Sequence, residues 1–564
     1  MFWDKILFDF IDQNYVSFIC YLSILLFMYP MEDLLIPNLF GKLYDTMKDK
    51  TTYADPYNIL DNIQKLNTPG IMICIIGIYV IVLIGDHLKN ILESKLSPGY
   101  LKYLRSLLFE GTVNKNQEDY KDVKTGEYMS KVLELTRSLR DVFQYSIGQF
   151  LPYISSSIII IIYLSYNVPE LSITLIMSTL IIILASLYSA ESIMELTRER
   201  EIFFTEELSE SIQDKMHNMM NIVTNNEGTN VIESNDKLER KNEKMMQDII
   251  ASESTFSSII HAFTILTYGF CLFILYNMLV TNRINVSNMI TYMLTLGKYM
   301  TSMHNLNWGI IFMLSYRIGI LTSHRAYLED IFKYTDIQKQ HVDFKDNSII
   351  IKNLKYKYEE SNDHYLFNNL NIEIKHNEKV GIVGRAGSGK TTLMRILVGL
   401  HKPNEGTIIV GSQNIGEISK NSLRDQINYV NQRTAMFNGD VVYNMKYANN
   451  KTEKEIVDLL EKYKLTSVFS NLENGIHNDV GVNGGQLSGG MQKVTMLVRG
   501  ICRNGNIVIF DEPLASLDEQ TGEKVMNMIL TECKNKTLLI ITHDKKILPY
   551  MDRVININEH QKEV

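Results

Sequence analysis

The chain is 564 residues long, 45% hydrophobic, and carries a formal net charge of −8. That charge argues against nucleic acid as a partner, which calls for a basic face, and the length leaves room for about three or four ordinary domains. Five cysteines, at 20, 74, 271, 502 and 533, form no metal-ligand spacing such as C-x-x-C and read as small hydrophobes in a reducing compartment.

The opening segment, MFWDKILFDF, has acids at Asp4 and Asp9 and no small-residue cleavage site after an apolar core. It reads as an amphipathic segment lying along a membrane surface, not as a removed signal peptide. Six stretches then approach the roughly 20 apolar residues that a membrane-crossing helix needs: 16–36, 70–91, 145–166, 168–190, 258–280 and 284–314. A single run of this kind is often a buried core helix. Six in succession predict a membrane domain.

Their spacing adds an orientation. The third-to-fourth and fifth-to-sixth connections are very short, whereas the second-to-third and fourth-to-fifth run about 60 polar, helix-patterned residues. The long connections hold Lys95, Lys102, Arg105, Lys121, Lys124, Lys131, Arg137, Arg140, Arg198, Arg200 and Lys215; the short ones hold only Arg283. By the positive-inside rule the long connections and both termini face the cytosol. The sixth stretch is the least apolar, interrupted by Lys298, His304, Asn305, Asn307 and Arg317. Either these face the bundle interior or a watery cavity, or the span ends near Met303 and the helix continues into the cytosol. Ser155-Ser156-Ser157, His261, Tyr268 and the methionines at 289, 293, 300 and 303 are candidates to line a path. Small residues and helically spaced Met more often serve packing.

From Ser348 the pattern turns to strands: SIIIKNLKYKY, LNIEI, KVGIV, GTIIV, NIVIF and TLLIIT, with a helix-patterned segment at 522–531. This predicts a parallel sheet with crossover helices. After KVGIV comes Gly384-Arg385-Ala386-Gly387-Ser388-Gly389-Lys390-Thr391-Thr392, the phosphate loop G-x4-G-K-[ST] between a strand and an apolar helix. Its glycines let backbone N–H groups turn toward phosphate oxygens, and the helix N-terminus adds its positive dipole end. Lys390 is predicted to reach the β- and γ-phosphates, and the Thr391 hydroxyl to ligate Mg²⁺. The strand NIVIF ends in Asp511-Glu512. Ligands bind at the carboxyl ends of parallel strands, so Asp511 can hold Mg²⁺ through water while Glu512 polarises the attacking water. Ser488-Gly489-Gly490, opening a third helical pattern, makes another anion-binding N-terminus.

In this order the three elements resemble the ATP-binding cassette superfamily, whose signature reads LSGGQ, and six spans ahead of one cassette resemble an exporter-type half-transporter. The resemblance covers nearly the whole chain. It implies an α-helical membrane domain of six transmembrane helices with long cytosolic extensions over 1–335. The remainder, 336–564, would be an α/β P-loop NTPase domain with a parallel-sheet core, an antiparallel β edge and a helical subdomain. It further implies that Tyr358 stacks on adenine, that Gln432 senses Mg²⁺ and contacts the membrane domain, that Ala515-Ser516-Leu517-Asp518 forms the D-loop, and that His543 contacts the γ-phosphate. Glu512, His543, Gln432 and Lys390 would carry catalysis, with ATP and Mg²⁺ bound. A nucleotide would sit between the phosphate loop of one chain and the signature of another. The working unit is then a homodimer or heterodimer in a lipid bilayer, moving an unassigned solute. The long loops near Gln117–Gly126 and Ile222–Asn230 would carry cassette closure to the spans.

Two departures stand out. Met491 replaces the signature's final Gln, and Val482-Asn483 stand where the family usually has a Glu-Arg pair. They bear on how the cassette meets the cytosolic loops and allow a weakened second site in a heterodimer. A second reading is an ATP-gated structural or regulatory membrane assembly that pumps nothing.

Overall fold

The computed structural model describes residues 4–48, 68–118, 120, 125–333, 342, 344, 346–358, 365–432 and 435–559. The chain divides into two compact units: Met1–Gly111 with Val123–Thr335, and Thr112–Asp122 with Asp336–Val564.

The first unit is helical. Among the described residues, five helices are long and apolar enough to cross a membrane: α1 (Tyr15–Lys48), α2 (Thr68–Glu118), α3 (Tyr128–Asn167), α4 (Pro169–His217) and α5 (Gly228–Val280). Their apolar side chains are largely outward, as lipid-facing surfaces are. A sixth, α6 (Val286–Trp308), runs on through a π-turn at Gly309–Leu314 into Ser315–Ser323. It does not reach the apolarity of the other five, and the structure shows why. The Lys298 ammonium pairs with Glu32 at 2.7 Å and Asp33 at 3.2 Å on α1, and the Ser156 hydroxyl donates to Asp33 as well. Ser186 on α4 donates to Asn307 at 2.9 Å, and Tyr299 meets Thr179 at 2.5 Å. Lys298 and Asn307 of the sixth stretch thus find partners within the bundle, whereas His304 is exposed.

Most of the other candidate lining residues pack within the bundle. Ser156 and Ser157 are buried, Met303 is in the bundle core, and Tyr268, Met289 and Met300 pack against it. His261 stacks on His304 with ring centroids 4.2 Å apart. Met293 is exposed. The amphipathic reading of the N-terminus is partly testable: Ile6 and Phe10 are buried against α1, α2 and α3, while residues 1–3 lie outside the described set.

The second unit is built on two sheets. One has the order β2-β1-β4-β5, with β1 (Ile349–Tyr356), β2 (Phe367–Ile374), β4 (Glu405–Val410) and β5 (Gln413–Asn414), and its pairs are antiparallel. The other has the order β6-β7-β8-β3-β9, with β3 (Lys379–Val383), β6 (Ile427–Val430), β7 (Ile507–Asp511), β8 (Thr537–Ile541) and β9 (Arg553–Asn556), all parallel. β7 and β8 are buried along their whole length, as expected of strands covered on both faces. Three helices pack around this core: α7 (Lys390–Leu397), α8 (Gly489–Cys502) and α9 (Glu519–Glu532). Arg424 donates to the Gln117 carbonyl at 2.6 Å, and the Tyr120 amide to Leu400 O at 3.3 Å, which is why the short segment 112–122 groups with this unit. Of the first expected coupling loop, residues 119 and 121–124 lie outside the described set.

Candidate active site

The phosphate loop lies between β3 and α7. Gly387 and Gly389 both take left-handed backbone (φ +79° and +87°), which a side chain would strain. At Gly389 an added Cβ would also sit 2.7 Å from Phe367 Cζ. Arg385, Ala386 and Gly387 are exposed at the loop tip, and Thr392 is buried behind it. The Lys390 ammonium is folded into the loop, donating to the Gly384 and Arg385 carbonyls at 3.0 Å each. Burial lowers its pKa, against the pull of Glu512 and Asp511.

β7 delivers Asp511 to this loop. Its carboxylate accepts from the Thr391 hydroxyl at 2.7 Å. Burial raises the Asp511 pKa, while that hydrogen bond and Lys493 and Lys390 oppose the rise. Glu512 follows in left-handed backbone, φ +50°. Its amide donates to Ile541 O at 3.0 Å, and its Oε1 lies 3.8 Å from His543 Nε2. Burial raises the Glu512 pKa too, with His543 opposing. Two buried polar atoms here have no hydrogen-bond partner among the described residues, Ser388 Oγ and Glu512 Oε1. A backbone cradle with an unsatisfied hydroxyl suits a phosphate, and an unsatisfied carboxylate oxygen beside it suits a water. Thr391 and Asp511 offer adjacent hard oxygens, a donor set that fits Mg²⁺.

The remaining predicted residues arrive from other elements. Gln432 lies two residues past β6, whose Val430 pairs with Phe510 of β7, and so at the same carboxyl edge as Asp511. Tyr358 donates to or accepts from Thr392 Oγ1 at 2.7 Å. Its ring stands edge-on to Tyr356 and His401 and remains 41% exposed. Ser488 caps α8, its hydroxyl accepting from the Met491 amide at 3.3 Å. Gly489 and Gly490 seat this helix start on Ser516 and Leu517 of the D-loop segment. No hydrogen bond between Ser488 and the phosphate loop is present among the described residues.

Sequence reasoning missed Lys493. It is buried, and its ammonium donates to Asp511 O at 3.3 Å. The signal was available: Lys493, Leu497 and Ile501 recur at i, i+4, i+8, so the lysine lies in the apolar stripe of α8. Arg499 was missed as well; it bonds Asn444 O and Oδ1, both at 2.7 Å, and locks α8 to the Val441–Lys446 helix.

Comparisons with known proteins give the chain its family. The profile of the ABC transporter transmembrane region matches residues 19–303, and that of the ABC transporter matches 367–515. A putative export ATP-binding/permease protein of Rickettsia typhi is 23% identical over 528 residues, 92% of this chain and 89% of that one. An ATP-dependent lipid A-core flippase of Methylobacillus flagellatus is 26% identical over 242 residues, 42% of this chain and 41% of its own. The solved structure of a bacterial Atm1-family ABC exporter with ATP bound shares the fold, with a TM-score of 0.83 at 17% identity over 98% of this chain and 95% of that one. With the transmembrane-region profile covering half of its length, the chain belongs to the ABC transporter family, an export ATPase in which membrane-spanning helices and an ATP-binding cassette are fused.

Proposed function

We propose that this chain works as one half of a two-chain exporter, with two ATP sites shared between the cassettes and their closure driving alternating access of the membrane helices. The observation that supports it most is the convergence of Lys390, Thr391, Asp511 and Glu512 on one strand edge, with the Ser488 helix start built on a separate element. Each chain carries one phosphate loop and one signature. Two chains therefore make two complete sites, one pair contributed by each in trans. An identical second copy is the simplest partner. Both termini and the cassette lie on the cytosolic side, where ATP is.

The residues divide the work. Lys390 exchanges the Gly384 and Arg385 carbonyls for phosphate oxygens, with the backbone amides of 387–391 around it. Thr391 and Asp511 would hold Mg²⁺, which would supply charge neutralisation on the phosphates, and Gln432 stands at the same edge. Tyr358, whose ring is partly exposed, stacks on the adenine. Glu512, with an unsatisfied oxygen and a pKa raised by burial, accepts the proton of the attacking water. His543, its Nε2 3.8 Å from Glu512, contacts the γ-phosphate in this reading. The partner's Ser488, Gly489 and Gly490 close the site from the other side. ATP favours the closed pair and its hydrolysis releases it, so differential affinity for the two states moves the membrane helices.

The test is Glu512→Gln in the full chain. ATP binding should persist while turnover falls by about 10²-fold or more, the scale of a lost general base. Hydrolysis at the parent rate would remove Glu512 from that role.

A further inference from the structure

We propose that Lys493 is a positioning residue that fixes the peptide between Asp511 and Glu512 and so ties the signature helix to hydrolysis. The proposal rests on the hydrolytic reading above. The peptide unit between these two residues contributes one carbonyl, that of Asp511, and one amide, that of Glu512. Both ends are held. The Glu512 amide donates to Ile541 O of β8 at 3.0 Å, and the Asp511 carbonyl accepts from Lys493 Nζ at 3.3 Å. Pinning both ends of one peptide plane fixes its rotation, and that rotation sets where the Glu512 side chain points. Glu512 needs such a constraint, because its φ of +50° is one that a side chain rarely adopts.

Lys493 holds an unusual place. It is 8% exposed, and among the described residues its ammonium makes no ion pair. A buried cation satisfied only by a main-chain carbonyl is a costly way to fill an apolar stripe. Its position on α8 gives the cost a use. Ser488 caps the same helix five residues earlier, about 7.5 Å along the axis. In the shared-site reading that cap contacts the partner's nucleotide, while Lys493 holds the carboxylate peptide of this chain's own site. One rigid helix then links the two ATP sites. Once Lys390 turns to phosphate, Lys493 remains as a cation behind Asp511 and Glu512.

A purely structural lysine and a positioning one respond differently to Lys493→Met. Replacing a buried charge by an apolar side chain of similar volume is commonly neutral or stabilising, so a structural Lys493 leaves turnover intact. The positioning role predicts that Lys493→Met, in the full chain reconstituted in nanodiscs, melts no lower than the parent. It should bind a fluorescent ATP analogue within about twofold of the parent and lose about tenfold or more in kcat, with KM for ATP little changed. Lys493→Arg, which keeps the cation and the donor, should recover most of kcat. Parent-like kcat in Lys493→Met, or a loss confined to KM, overturns the proposal. Should Lys493→Met melt below the parent, Lys493→Arg decides: recovered turnover supports the role, and a loss equal to that of Lys493→Met overturns it. Failure of the hydrolytic reading is separate, since it would show as undiminished turnover in Glu512→Gln.

Discussion

Glu512 concentrates the physical cost of the site in one residue. It sits in left-handed backbone, its carboxyl is mostly buried, and one of its oxygens has no hydrogen-bond partner among the described residues. Burial raises its pKa, so the folded protein holds that proton to higher pH than the unfolded chain does. Stability from such a group is present below the ordinary carboxylate pKa and is lost as pH rises through the raised value. The uncharged Glu512→Gln variant escapes that loss. It should melt above the parent at neutral pH, with the gap closing as pH falls toward about 4, where Glu512 is itself protonated. Scanning calorimetry of both proteins across that range checks it, and a gap that widens on acidification contradicts it. At this scale the phosphate loop was fully legible in the sequence, because the work of Gly387, Gly389 and Lys390 is local to nine residues. Lys493 was not, because its acceptor lies 18 residues further on, at the end of a strand.

The element on which most depends is α8. It begins at the Ser488 cap, holds Asp511 through Lys493, and is locked to a neighbouring helix by Arg499. It can do this only by lying close to β6 and β7. A Cβ at Gly500 would fall 2.2 Å from Val430 Cγ2. Gly500→Ala should therefore cost about 1–3 kcal/mol through overpacking, read as a lowered unfolding midpoint, and should reduce turnover as α8 is pushed off the sheet. An unchanged midpoint would mean that the packing relaxes freely. All six predicted strands formed where their apolar runs placed them; β7 and β8, buried on both faces, advertise themselves by composition, and β1 and β2 show buried positions broken by exposed ones. Spans one to five were equally plain. The sixth was less so because its polar residues are matched by partners on α1 and α4, and tertiary pairing of this kind leaves no trace in hydropathy. In the loop that departs from the family's sequence, Val482 is 83% exposed and Asn483 takes φ +54°, a turn with an apolar tip.

For the whole molecule the central claim is that no single chain completes an ATP site, and one mixing experiment addresses it. Lys390→Ala disables the phosphate loop and Ser488→Ala the signature, so each variant alone should be inactive. In a mixed dimer of the two, one site takes Lys390 and Ser488 from the two intact halves, and the other inherits both defects. Steady-state ATPase of the two variants mixed in equal amounts before reconstitution is the most direct measurement. Shared sites predict recovery to about a quarter of the parent rate, since half of the randomly assorted pairs are mixed and each has one intact site of two. No recovery in verified mixed pairs would place Lys390 and Ser488 in the same site of the same chain and contradict the account.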